Sequence, residues 1–166
     1  MTDLPATNRT MLTEVKPEGV LELYLADLPM PTPKDHEVVV EVQATPINPS
    51  DLGLMVGAAD VSSARAIDRD GLPGIAMNVP EAGMRFMAGR IGQALPIGNE
   101  GCGVVVAAGA APEAQALMGK TVALIGGEIY AQYRCLAAQM CMPLPEGTAP
   151  EDGASCFVNP LTALGF

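Results

Sequence analysis

The stretch from Leu95 to Gly109, Leu-Pro-Ile-Gly-Asn-Glu-Gly-Cys-Gly-Val-Val-Val-Ala-Ala-Gly, constrains this chain more than any other. Glycines at 98, 101, 103 and 109 bracket a β-branched run, Val104 to Val106, the pattern of a tight turn feeding a buried strand. Asn99 and Glu100 stand at the mouth of that turn. A carboxylate carried inward on such a strand is costly unless it is paired, so Glu100 needs a partner or a chemical task.

Upstream, Thr10 to Val15 and Val20 to Leu28 flank Lys16-Pro-Glu-Gly19, a hairpin pattern with Pro and Gly where a turn requires them. Pro29, Pro31 and Pro33 then form a stiff connector. Glu37 to Ala44 alternates as a strand, with Val38, Val40 and Val42 on one face and Glu41 and Gln43 on the other. His36, the sole histidine, lies between Asp35 and Glu37 and is expected to face solvent. In Thr45 to Gly57, Asn48 followed by Pro49 marks a helix N-cap, and Gly57 marks its stop. Capping accounts for Asn48, and Asp51 complements the helix dipole, but neither reason assigns a task to Ser50.

Ala58 to Ala94 is the least regular segment and reads as a long, atypical loop with a short helical turn at Gly83 to Ala88. Arg65, Arg69, Arg85 and Arg90 lie within it; solvated surface is the first reading for them, and a phosphate grip the second. Pro112 to Met118, followed by Gly119, fits a two-turn helix. Gly119-Lys120-Thr121 is no phosphate-binding loop, because it closes a helix and opens the strand Thr121 to Ile125, the reverse of the required order. Tyr130 to Ala138 and Cys141 to Leu144 read as further strands. Thr148-x-x-Glu151 has the spacing of a capping box, and Asn159-Pro160 repeats the Asn48-Pro49 device before a helix from Leu161 to Phe166.

Composition narrows the function classes. A net charge of -10 opposes binding to nucleic acid or an anionic membrane. No run reaches the roughly 18 apolar residues that span a bilayer, and the N-terminus lacks a secretory pattern, so a cytoplasmic location is expected. Cys102, Cys135, Cys141 and Cys156 form no C-x-x-C pair and read as reduced, buried small hydrophobes.

Short strands, few helices and Gly/Pro turns argue for a mainly β, barrel-like domain with polar clusters Asn48/Ser50/Asp51 and Asn99/Glu100 at strand ends. Four blocks in order, Ile47-Asn-Pro-Ser-Asp-Leu52, Pro96-Ile-Gly-Asn-Glu-Gly-Cys-Gly-Val-Val-Val106, Tyr130-Ala-Gln-Tyr133 and Val158-Asn-Pro-Leu-Thr-Ala-Leu164, resemble the N-terminal half of the medium-chain dehydrogenase/reductases. The similarity is to the zinc-free quinone oxidoreductase and enoyl-thioester reductase branch, and it covers nearly everything except the 58–94 segment. It implies a GroES-like, partly open β-barrel over residues 1–147 and linker helices over 148–166. A Rossmann domain would follow, the chain stopping where that domain begins. No strand here leads into Gly-x-Gly-x-x-Gly and a helix; Gly101-Cys-Gly103 runs into valines.

The resemblance further implies an NADPH-dependent reductase acting on a small carbonyl or quinone substrate, with the nucleotide held mainly by the other domain and homodimerisation only in the full-length protein. Where metal-dependent relatives carry zinc ligands, this chain has two amides, Asn48 and Asn99, and a valine, Val158, so no zinc is expected. On this reading the Asn48 and Asn99 amides contact the nicotinamide or the substrate carbonyl, and Ser50 matches a proton-relaying hydroxyl. Thr162 matches a residue packing on the nicotinamide ring, while Asp51 and Glu100 orient the backbone and the amides. Where enoyl-thioester reductases carry a proton-donating Tyr, this chain has Ala58-Ala59-Asp60. Two other readings stay open: a relative of the zinc-type alcohol dehydrogenases with unusual ligands, and a non-catalytic GroES-like structural or assembly module. The isolated chain is expected to be inactive.

Overall fold

An antiparallel hairpin opens the computed structural model, which describes residues 4–165. The first three residues of the N-terminal stretch and Phe166, the last residue of the expected terminal helix, lie outside the described residues. Strands β1 (Thr7–Lys16) and β2 (Val20–Pro29) pair without slippage from Thr7↔Pro29 to Lys16↔Val20. The Pro17-Gly19 turn expected from sequence closes them. One face buries Val15, Leu21 and Leu23 beneath Met77, Val79, Met87 and Ile97, the first of two apolar cores.

The second core belongs to a separate sheet, with strand order β10-β8-β7-β3-β9. Its members are β3 (Glu37–Ala44), β7 (Glu100–Ala108), β8 (Thr121–Ile125), β9 (Tyr133–Ala137) and β10 (Cys141–Pro143). Val38, Val40, Val105, Val122, Leu124, Ile129 and Leu136 pack together there. In β3 the alternation is broken, since Val39 is as buried as Val38 and Val40. The strand is central, flanked by β7 and β9, and a bulge follows Val39.

Residues 58–94 are not the long loop their sequence implied. After helix α1 (Pro49–Met55), strands β4 (Asp60–Arg69) and β5 (Leu72–Asn78) form a hairpin that adds to the edge of the first sheet beside β2. Asp70 and Gly71 turn it with φ of 56° and 81°, the left-handed pair that a two-residue hairpin turn needs. Most of β4 is exposed, so it carries no alternation from which a strand could be read. Helix α2 (Glu81–Phe86) fills the place of the expected helical turn, and the short strand β6 (Ala94–Pro96) pairs with β1.

The fold is mainly β with short helices, as expected, and its two antiparallel five-stranded sheets stay open and do not close into a barrel, consistent with a GroES-like domain. They are stitched where β1 passes the 130–133 segment. The Met11 N–H donates to the Tyr130 carbonyl at 2.8 Å and the Gln132 N–H to the Arg9 carbonyl at 2.9 Å. The Asn8 side chain acts as an extra strand residue, donating to the Tyr133 carbonyl at 2.7 Å and accepting its N–H at 2.9 Å.

Three helix expectations change. Helix α3 (Pro112–Gln115) is shorter than two turns. The Thr148 hydroxyl donates to the Pro145 carbonyl at 2.7 Å, so no capping box forms, and Ala149 occupies the N-cap position of α4 (Pro150–Gly153). Asn159 lies inside α5 (Val158–Leu164) and does not precede it. No helix among the described residues is long and apolar enough to cross a membrane.

Candidate functional site

Asn48 sits in extended conformation (φ −88°, ψ 154°) at the N-cap of α1, where the fixed φ of Pro49 suits the first helical position. Asp51 reaches back and accepts the Asn48 N–H at 2.8 Å. Its other oxygen accepts the Asn99 N–H at 3.0 Å, tying α1 to the turn that leads into β7. Across this junction the Asn48 Nδ2 donates to Glu100 Oε1 at 3.1 Å, and the Asn99 Nδ2 donates to Ser50 Oγ at 2.9 Å. The second oxygen of Glu100 accepts the Phe157 N–H at 2.8 Å and the Val158 N–H at 3.0 Å, the entry to α5.

The buried carboxylate that the sequence left in need of a partner thus has three N–H donors, and Asp51 has two. Asn48, Asp51 and Glu100 are each only 1% exposed. Hydrogen bonds to ionised acceptors are the stronger kind, which is how two carboxylates persist in the interior with no cation bonded to either among the described residues. The open side of the network is formed by Ser50, which is exposed, and Asn99, which is partly so.

Five of the six residues singled out from sequence therefore share one network. Thr162 stands apart: it is exposed, and its hydroxyl donates to the Val158 carbonyl at 2.7 Å within its own helix. Its link to the others runs through the start of α5, where Glu100 holds the backbone.

A mostly apolar cavity of about 500 Å³ is lined by Met11, Ile47, Met55 and Tyr130 together with the polar Arg9 and Gln132, among others; no network residue lines it, and Ile47 precedes Asn48 in the chain. Tyr130 is the residue that sequence reasoning passed over as a strand position. It lines the cavity, and its hydroxyl donates to the Pro46 carbonyl at 2.8 Å, two residues from Asn48. Burial, with the Asp51 carboxylate nearby, pushes the phenol pKa well up, so it stays protonated. A sequence signal existed in Gly98. With φ at +98°, a Cβ on Gly98 would stand 2.5 Å from the Tyr130 ring and 2.6 Å from its backbone nitrogen.

Arg90 was also misjudged, being neither a solvated surface group nor a phosphate grip. Its guanidinium donates to the Leu54 carbonyl and to the Thr13 hydroxyl, both at 2.9 Å, and Thr13 donates to the Met55 carbonyl at 3.1 Å. The last turn of α1 is thereby pinned to β1. His36 is exposed, as expected.

The donor set does not fit zinc. At the relevant positions stand two carboxamides and two carboxylates already committed to N–H groups, and no cluster of three His, Cys, Asp or Glu suited to a metal exists among the described residues. A dinucleotide cradle does not fit either, because every strand pairing between the named strands is antiparallel, without the parallel βαβ unit that such a cradle uses.

No protein-family model matches the sequence, and no curated protein matches it. Solved structures do. A candidate NADPH:quinone reductase from Mesorhizobium loti superposes with a TM-score of 0.65 at 27% identity, over 99% of this chain and 44% of that one. A candidate NADPH:quinone reductase from Bacillus thuringiensis gives a TM-score of 0.67 at 26% identity, over 96% of this chain and 40% of that one. The quinone oxidoreductase from Coxiella burnetii, at 18% identity and a TM-score of 0.63, shares the fold over 95% of this chain and 44% of its own. The chain spans less than half the length of each of these. Its fold is similar, at low identity, to one part of these solved quinone reductases.

Proposed function

We propose that this chain is the substrate-side domain of an NAD(P)H-dependent reductase that delivers hydride to a quinone or an α,β-unsaturated carbonyl without zinc. Residues 1–147 form that domain on this reading, and 148–166 lead to a dinucleotide-binding domain. The observation that carries the proposal is the single network joining Asn48, Ser50, Asp51, Asn99 and Glu100, together with the mostly apolar cavity that Ile47, next to Asn48, lines. A flat, largely apolar substrate with a polar group suits that cavity, since its lining is mostly aliphatic with Tyr130 and the polar Arg9, Gln43, Thr45 and Gln132.

The nicotinamide, when bound, supplies the hydride. The chain's own residues meet the negative charge that develops on the substrate oxygen. Ser50 Oγ accepts from Asn99, and among the described residues no acceptor takes the Ser50 proton. That O–H is free to donate outward, and in this reading it relays a proton from solvent to the substrate oxygen, taking one from water as it gives one up. Asn99 fixes the hydroxyl's direction. Asn48, buried and bonded to Glu100, acts in this reading by holding α1 toward the start of α5 beneath the ligand. Thr162 presents its exposed side of α5 to the nicotinamide.

The test is NADPH oxidation, with 1,4-naphthoquinone or cyclohexenone as acceptor, by the protein in which this chain is joined to a dinucleotide-binding domain. Turnover with one acceptor is expected, and Ser50→Ala should lower kcat by about 10²-fold or more, the ordinary worth of a positioned proton donor. No turnover with either acceptor, or unchanged kcat in Ser50→Ala, would overturn the reading.

A further inference from the structure

Cys102 and Cys156 take no part in the polar network, yet they bracket it. Cys102 is two residues beyond Glu100 on β7, and side chains two apart on a strand share a face. It is fully buried and therefore points, like Glu100, toward the α4–α5 segment. Cys156 immediately precedes Phe157, whose N–H is bonded to Glu100.

Two independent contacts bring the sulfurs to the same short segment, Asp152-Gly153. The Cys102 Sγ lies so close to Gly153 that a Cβ there would stand 2.6 Å from it and 3.2 Å from the Cys102 Cβ. The Cys156 thiol turns back to the Asp152 carbonyl, with 3.9 Å between sulfur and oxygen. That carbonyl belongs to the residue before Gly153, so the two sulfurs face neighbouring residues of one short segment, and Leu144 Cδ1 shares the space beside Gly153. The other two cysteines are differently placed. Burial pushes the Cys135 thiol up to about 11 and the Cys141 thiol up to about 12, and neither abuts the 152–156 segment through any hydrogen bond.

We propose that Cys102 and Cys156 are a thiol pair that a hydroperoxide converts to a disulfide, locking the Glu100 anchor of α5. The half-buried Cys156 reacts first. Its thiolate attacks one peroxide oxygen, the O–O bond breaks, and water leaves with a sulfenic acid formed. The Cys102 thiol, its pKa raised by burial, is the resolving group. Its sulfur displaces the sulfenic hydroxyl, forming the S–S bond and releasing a second water. In sum two thiols and one hydrogen peroxide become one disulfide and two waters. The crosslink runs parallel to the Phe157-to-Glu100 hydrogen bond, so oxidation holds the start of α5 on β7. This inference stands independently of the proposed reductase activity.

The test uses the chain itself. After brief exposure to hydrogen peroxide, free thiols are alkylated and the intact mass and peptide fragments are read. Thiol count is expected to fall from four to two, with one crosslinked peptide joining Cys102 to Cys156. Amide exchange at Phe157 and Val158 is expected to slow, and the thermal midpoint to rise by roughly 5 °C or more, since the bond closes a loop of about 55 residues. In Cys156→Ser, a half-buried and conservative change, Cys102 should keep its thiol under the same treatment. Four surviving thiols, a sulfinic acid on Cys156 with Cys102 still free, a crosslink through Cys135 or Cys141, or loss of the Cys102 thiol in Cys156→Ser would each overturn the proposal.

Discussion

Replacing Glu100 by Gln changes one atom in the most connected position of the site. The carboxylate accepts from Asn48 Nδ2, Phe157 N–H and Val158 N–H. A glutamine keeps one acceptor oxygen. If that oxygen stays with the two backbone donors, the new NH2 faces the Asn48 NH2, and the asparagine must turn over to present its carbonyl. Bonds to a charged acceptor are worth about 1.5–3 kcal/mol and neutral ones about 0.5–1.5 kcal/mol, so three weakened bonds cost roughly 3 kcal/mol. Relief of a buried charge offsets part of this, leaving a net loss of about 2 kcal/mol, or a fall of roughly 4–8 °C in Tm for a domain of this size. The assay is thermal unfolding of Glu100→Gln beside wild type, with amide exchange read at Phe157 and Val158. Exchange at those two amides should rise more than at Val38 to Val40 in the core. A Tm within about 1 °C of wild type, with unchanged exchange at both amides, would refute the reasoning that Glu100 anchors α5.

Other consequences follow from single contacts. Gly98→Ala places a methyl against the Tyr130 ring at a left-handed backbone position, so urea unfolding should show a loss of about 2 kcal/mol or more; a neutral result would contradict the packing. Arg90→Leu removes the donors to Leu54 and Thr13, and a loss of roughly 2 kcal/mol is expected in the same assay, with faster exchange confined to the end of α1. Cys141 gives a pH signature. Burial raises its thiol to about 12, while an unfolded cysteine ionises near about 8.5. The folded state therefore keeps a proton that the unfolded chain loses, and stability present below the lower value declines as pH rises between the two. Cys141→Ala should flatten that alkaline decline in Tm, whereas a slope parallel to wild type would contradict the assignment.

How much of this was legible beforehand depends on the residue. The opening hairpin was readable because Lys16-Pro-Glu-Gly19 is a turn by backbone chemistry alone, and the pairing from Thr7 to Pro29 follows from it. The Asn48-Pro49 cap and the Gly-rich entry to β7 were readable for the same reason, and with them came five members of the network. The β4–β5 hairpin was not, although Asp70-Gly71 is a strong hairpin dipeptide. A strand exposed on both faces has no period to detect, and Gly, Pro and Arg nearby outweighed one dipeptide. Thr148 and Asn159 show the opposite failure. Each had the right spacing for a cap, but a nearby carbonyl captured the threonine hydroxyl and the helix began before the asparagine. The roles of Tyr130 and Arg90 depend on partners 84 and 36 residues away, which leaves Arg90 without a local signal and Tyr130 with only the indirect one of Gly98.

Binding of substrate in the cavity beside Tyr130 is the proposal on which the assigned residue roles depend. Titrating the isotopically labelled chain with 1,4-naphthoquinone, and following amide chemical shifts residue by residue, tests that claim without any need for turnover. Changes are expected at Ile47, Ile129, Tyr130 and Ala131, extending to Ser50 and Asn99. Shifts confined to the β4–β5 hairpin, or none at saturating quinone, would contradict it.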